Sequence, residues 1–164
     1  MNLLEKLKRI EVIRHGKITL SGGAPSDFYV DIKKAYGNPE LLCELADGVY
    51  NLFDKRINCV VAMGHGGIPL GTAISIRNNL NLAIVREFPK KHGPLRIIDG
   101  HLLSERDVVA LVDDVYTTGG SIRKMREIVD GTKAIVRGEY VVVSRASDNP
   151  ENLKYLFKLE DLTT

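Results

Sequence analysis

The segment 108–121, VVALVDDVYTTGGS, gathers the residue types that hold a sugar phosphate. An apolar run ends in two adjacent carboxylates, Asp113 and Asp114. A turn follows, formed by Val115, Tyr116, Thr117, Thr118, Gly119 and Gly120, and Ser121 opens an amphipathic stretch. Such a turn feeds a helix N-terminus, whose first N–H groups lack partners and whose dipole is positive. That arrangement suits a phosphate monoester, with the hydroxyls of Thr117, Thr118 and Ser121 as further donors. Glycine lets the backbone approach the anion closely. The acidic pair would repel phosphate, but it suits ribose hydroxyls or a magnesium ion carried in by the substrate. No GxxxxGK[ST] is present, so this is a sugar-phosphate pattern and not a nucleotide P-loop. Outside its strand–turn–helix context, the same turn would serve simply as a helix cap.

Four further segments carry candidate chemistry. Gly64, His65, Gly66 and Gly67 follow an apolar run, and their small residues can expose amides to a pyrophosphate. They would also serve as a short strand-to-helix turn. The segment 86–100, REFPKKHGPLRIIDG, crowds Arg86, Lys90, Lys91, His92 and Arg96 into one long polar loop. Its cations can neutralise a leaving pyrophosphate, although charge runs are often only solvated surface. Phe28 and Tyr29 alternate faces if 28–33 is a strand, and one of them can stack on a planar base or pack in the core. Arg145 ends VVVSR, and its guanidinium fork matches a carboxylate.

The elements that position these residues are read from periodicity. A short amphipathic helix is expected over 2–10, strands over 17–20 and 28–33, and a helix from Asn38–Pro39 to about residue 55, with Asn38 as its cap. Strands 58–63, 82–86, 107–113 and 135–144 then alternate with helices 68–78 and 119–129. A helix over 150–157 and a strand over 158–162 close the chain. Near-continuous apolar strands alternating with helices argue for an α/β fold with a parallel sheet covered on both faces. Ligands bind such sheets at the carboxyl ends of the strands, where the candidate segments fall.

VVALVDDVYTTGGS resembles the signature of the type I phosphoribosyltransferases for 5-phosphoribosyl 1-pyrophosphate (PRPP). Over nearly its whole length the chain is similar to the orotate phosphoribosyltransferases. The matching segments are ITLSGGAPSDFYVDIKKA, MGHGGIPLGTAIS, VREFPKKHG, LVDDVYTTGGS and VVVSR, in the family's order. The resemblance implies a parallel sheet flanked by helices, with residues 1–36 as a small helix and strand hood and 37–164 as the PRPP-binding core. It implies phosphoribosyl transfer from PRPP to orotate. Arg86, Lys90, His92 and residues 113–121 would bind PRPP, with Asp113, Asp114, Lys90 and His92 catalytic. Residues 64–67 would form the pyrophosphate loop, and Thr117, Arg145, Phe28 and Tyr29 would bind orotate. The basic loop would be a lid serving the partner's site in a homodimer. Mg2+ would arrive with PRPP. The chain departs from the family pattern at Glu87, where lysine is usual, at Phe88, where glutamate is usual, and near Ser21, where a lysine is often found.

Bulk properties exclude other classes. The 164 residues suit one domain, with 44% hydrophobic and 27% charged residues and a formal charge of +2. That charge is too small to suggest nucleic-acid binding. No apolar run approaches the roughly 20 residues of a membrane span, and the N-terminus does not read as a secretory signal. Cys43 and Cys59 stand alone, as reduced thiols of a cytoplasmic protein would, with a disulfide between them left open. Transfer to another base, or non-catalytic sensing of PRPP or a nucleotide, remain the competing readings. The roughly fifteen residues before the first expected strand are too few for a helix-turn-helix unit.

Overall fold

A computed structural model of the chain describes residues 1–19, 23, 25–88 and 96–164. Helix α1 (Leu3–Arg9) is capped by Asn2, whose side chain accepts the Glu5 N–H while the Glu5 carboxylate accepts the Asn2 N–H. Strands β1 (Ile13–Thr19) and β2 (Pro25–Val30) form an antiparallel two-stranded sheet. The expected strand 28–33 therefore ends early. Residues 33–36 instead form α2 (Lys33–Tyr36), an element that periodicity did not suggest. Helix α3 (Pro39–Tyr50) has Asn38 accepting the N–H groups of Glu40 and Leu41, and it buries Leu41, Leu45 and Val49.

The main sheet holds β3 (Cys59–Met63), β4 (Asn81–Val85), β5 (Ile98–Gly100), β6 (Val108–Tyr116), β7 (Ile135–Ser144) and β8 (Leu153–Lys158). Its order is β5-β4-β3-β6-β7-β8, with β5 antiparallel and the rest parallel. Alternation along β6 shows why its run is apolar throughout. Ala110 and Val112 face a core shared with α3 and with α4 (Gly64–Asn78), through Leu45, Leu70 and Ile74. Val109 and Leu111 face the other core, closed by Ile122, Met125 and Val129 of α5 (Gly120–Asp130). Leu7, Val12, Val30 and Ile32 join the first of these cores, so the N-terminal elements pack onto it.

Three expectations are corrected. Residues 64–67 are the first turn of α4, which begins four residues before the expected start at 68. The C-terminal pair is reversed: 153–158 is strand β8, and Leu159–Thr163 is helix α6. β8 pairs in parallel with β7 and places Leu153 and Tyr155 in the α5-side core, an edge-strand role that six residues of pattern could not distinguish from a helix. Asp161 accepts the Lys158 N–H at 2.7 Å and so starts α6. β6 also runs three residues beyond its expected end, which puts both carboxylates on the strand.

From β3 the chain leaves through α4 to β4 on one side, and from β6 it leaves through α5 to β7 on the other. The carboxyl ends of β3 and β6 thus flank the switch point where open sheets of this kind bind ligands.

Candidate functional site

A cavity of about 720 Å³ opens at this switch point. Its walls come from the end of β6, the start of α5, the first turn of α4, the residues after β4, Arg145 after β7, and Thr19, Tyr29 and Lys33 from the N-terminal elements.

The turn after β6 has the shape that its sequence suggests. Gly119 takes φ +75°, and a Cβ there would stand 2.5 Å from the Tyr116 hydroxyl oxygen, so only glycine fits. A Cβ on Gly120 would meet nothing within 4 Å, which leaves open space over the first turn of α5. Thr117, Thr118 and Ser121 border the same space. The N–H groups of a first helical turn have no acceptor within the helix, so this wall has the chemistry to receive an anion.

The acidic pair occupies two distinct environments. Both carboxylates are buried, each 8% exposed. An Asp113 oxygen accepts the Asp114 N–H at 2.9 Å, and an Asp114 oxygen accepts the Val115 N–H at 2.9 Å. Burial, and then the neighbouring Asp114 charge, push the Asp113 carboxyl well above the ordinary carboxylate range. Asp114 instead faces Lys33, whose Nζ lies 3.6 Å from its Oδ2. Lys33 also lies 3.5 Å from an Asp31 oxygen and donates to the Tyr29 hydroxyl at 3.0 Å. Burial opposes the Lys33 charge, but the Tyr29 hydrogen bond and the two carboxylates outweigh it and raise its pKa. One acid is thus disposed to hold a proton while the other is held by a cation, a separation of roles suited to acid–base and diol chemistry.

The first turn of α4 packs directly on this pair. A Cβ on Gly66 would stand 2.2 Å from Asp114 Oδ1, and one on Gly67 would stand 2.8 Å from the Val112 carbonyl oxygen. Gly64 takes φ +71°. The Tyr36 hydroxyl donates to the Gly66 carbonyl at 2.8 Å. Burial, with Asp114 and Asp113 nearby, pushes the Tyr36 phenol upward, so it stays a donor. His65 is exposed and borders the cavity. Because 64–67 form a helix start and not a loop, their N–H groups are those the helix leaves unpaired.

Arg145 lines the same cavity. Its guanidinium lies 4.7 Å from the centre of the Phe28 ring and donates to Ser26 Oγ at 3.1 Å, and its own N–H donates to the Tyr116 carbonyl at 2.8 Å. Burial lowers its pKa, although a guanidinium remains charged in proteins. Phe28 therefore supports Arg145 from behind, while Tyr29 reaches the cavity wall beside Lys33.

Not every expected residue converges here. Arg86 forms an ion pair with Asp99 of β5, its Nε is buried with no hydrogen-bond partner among the described residues, and it does not line the cavity. Lys90, Lys91 and His92, together with the lid reading of their loop, lie outside the described residues, as does Ser21. Among the described residues, no group of three or more His, Cys, Asp or Glu side chains is placed to hold a metal ion. Lys33, Tyr36, Thr19 and Lys124 were not foreseen as site residues. Their roles depend on contacts between distant segments, and only the DIKKA segment hinted at Lys33.

Such a sheet, with its anion turn and acidic pair at the switch point, defines the type I phosphoribosyltransferase fold. No protein-family model matches the chain. The orotate phosphoribosyltransferase of Methanocaldococcus jannaschii is 38% identical over 152 residues, 93% of this chain and 86% of the relative. That of Pyrococcus furiosus is 36% identical over 168 residues, covering 98% and 90%. The crystal structure of orotate phosphoribosyltransferase from Aeropyrum pernix matches with a TM-score of 0.84 and 26% identity, over 98% of this chain and 96% of that one. The chain belongs to the orotate phosphoribosyltransferase family.

Proposed function

We propose that the protein transfers the phosphoribosyl group of PRPP to orotate, forming orotidine 5′-phosphate and releasing pyrophosphate, as a step of pyrimidine biosynthesis. The observation that carries this reading is one cavity lined together by the glycine- and hydroxyl-rich turn, the buried acidic pair and the half-buried Arg145. The 5-phosphate rests on the first turn of α5, against Thr117, Thr118 and Ser121. Asp114 and Asp113 receive the ribose diol. The first turn of α4 offers its amides to the pyrophosphate, and Arg145 pairs with the orotate carboxylate.

In the reaction, the bond from ribose C1 to the pyrophosphate oxygen breaks and the bond to the base nitrogen forms, with the proton of that nitrogen lost to solvent or a base. An oxocarbenium-like state is expected, as in other glycosidic cleavages. The protein contributes positioning and electrostatics, with the Asp114 carboxylate balancing positive charge that grows on the ribose ring. The residues present fit a magnesium ion that keeps mostly substrate and water oxygens, since Asp114, a carboxylate held against Lys33, and the Asp113 oxygens offer hard ligands at the cavity wall. When bound, that ion neutralises charge on the pyrophosphate. Arg86, Lys90 and His92 are assigned to the same pyrophosphate on family resemblance, as are the hood and core division at residue 36, a homodimer with shared sites and a cytoplasmic location. No helix of the described residues is long and apolar enough to cross a membrane.

The test is to follow loss of orotate absorbance with protein, PRPP and Mg2+. Turnover with orotate supports the assignment. Turnover only with uracil or a purine would reassign the base, and PRPP binding without any turnover would favour a sensor.

A further inference from the structure

The cavity contains a cation that neither the sequence pattern nor the proposed mechanism uses. Lys124 sits on α5, one turn beyond the anion-binding start of that helix, and it lines the cavity. Its stem is half-buried. Its ammonium donates to the main-chain carbonyl of Glu87 and lies 5.6 Å from the centre of the Phe88 ring. Among the described residues it has no carboxylate partner within salt-bridge distance, whereas Lys33 is held by Asp31 and Asp114. Arg86, the cation expected at this wall, is turned to Asp99. Lys124 thus brings to the end of β4 a charge that no acid neutralises.

The other feature of this wall is Glu87. It borders the same cavity, and its Oε1 would stand 2.9 Å from a Cβ on Gly64, at the first turn of α4. A carboxylate beside the amides assigned to the pyrophosphate repels that anion unless a cation compensates. Among the described residues, Lys124 brings a cation to this wall, its ammonium donating to the Glu87 main-chain carbonyl.

We propose that Lys124 is a further substrate-binding residue, which supplies from α5 the positive charge that meets the pyrophosphate of PRPP beside Glu87. This rests on the PRPP reading of the site. The pyrophosphate is favoured over the 5-phosphate because the ammonium contacts the Glu87 carbonyl and the Phe88 ring, and Glu87 in turn borders the first turn of α4. The aromatic face of Phe88 helps to hold the ammonium in place without neutralising it.

The experiment measures binding of PRPP, pyrophosphate and ribose 5-phosphate separately by calorimetry with Mg2+, for wild type, Lys124→Met, Lys124→Glu and the exchange Glu87→Lys/Lys124→Glu. Thermal unfolding confirms that each variant is folded. Loss of one charge-assisted contact should weaken PRPP and pyrophosphate binding roughly ten-fold or more in Lys124→Met. Ribose 5-phosphate should bind as in wild type. Lys124→Glu should lose more, and the exchange should recover most of that loss, because the two positions face one anion. Wild-type affinity for pyrophosphate in Lys124→Met would overturn the proposal. So would an equal loss for ribose 5-phosphate, the mark of a residue that only props the wall, or an exchange no better than Lys124→Glu. If wild type itself binds no PRPP, the proposed function fails first and this inference falls with it.

Discussion

Replacing Gly66 by alanine should damage the site much more than the fold. The added Cβ would stand 2.2 Å from Asp114 Oδ1, 2.3 Å from Cγ and 2.6 Å from Oδ2, whereas ordinary contact begins near 3.4 Å. The carboxyl must therefore retreat by roughly an ångström, and displacement of a reacting group by about that much costs on the order of 10²-fold in rate. Retreat also strains the hydrogen bond from the Val115 N–H and the approach to Lys33. Stability responds less. Overpacking costs roughly 1–3 kcal/mol, and alanine recovers about 0.8–1.0 kcal/mol over glycine within a helix. The remainder lowers Tm by a few degrees, at roughly 2–4 °C per kcal/mol for a chain of this size. Gly120→Ala is the control for stability, since nothing lies within 4 Å of its Cβ and α5 should be unharmed or firmer. Steady-state kinetics and thermal unfolding of both variants check this. A Gly66→Ala enzyme with wild-type kcat/KM for PRPP would refute the claim that Asp114, held against the α4 turn, takes part in the reaction.

Arg145→Ala should raise the orotate KM roughly 10- to 100-fold, the worth of a charge-assisted pair, while leaving PRPP affinity within about two-fold by calorimetry; equal losses would remove Arg145 from the base site. Asp113→Asn should unfold at a higher temperature than wild type at neutral pH while losing activity. The sign follows from linkage: a carboxyl whose native pKa is raised contributes stability that is present below the ordinary carboxylate range and is lost as pH rises through the native value, and asparagine abolishes that loss. The Tm difference should vanish in acid, so a constant difference across pH would contradict the burial argument. Cys59 is fully buried and its thiol is pushed up to about 12, so a thiol reagent should modify the half-buried Cys43 first and reach Cys59 only on unfolding. Simultaneous modification of both in the native protein would contradict its burial.

The sequence made the centre of the site legible because its signals there are local. The run 108–112, the glycine pair and the hydroxyls of the turn lie within fourteen residues, and α5 and β7 appear within a residue of where periodicity places them, while β6 starts as expected and runs on to Tyr116. What stayed hidden depends on contacts between segments far apart in the chain. Gly64–Gly67 read as a turn before a helix that begins at the next residues, yet they are the first turn of α4, packed so closely on Asp114 that Gly66 leaves no room for a Cβ, with the Tyr36 hydroxyl donating to the Gly66 carbonyl. Lys33 becomes a site residue only when α2 meets the end of β6. β5 is three residues long, too short for any period to register. The C-terminal reversal has a similar origin, since pairing with β7 decides that 153–158 is a strand.

The central claim, that one cavity joins a PRPP site to an arginine selecting a carboxylated base, is tested most directly by competition. Orotate, uracil and adenine are offered together at equal concentration with PRPP and Mg2+, and the nucleotide products are resolved by mass. Arg145 in the same cavity as the acidic pair predicts orotidine 5′-phosphate as the dominant product. A mixture led by the uracil or adenine nucleotide would contradict it.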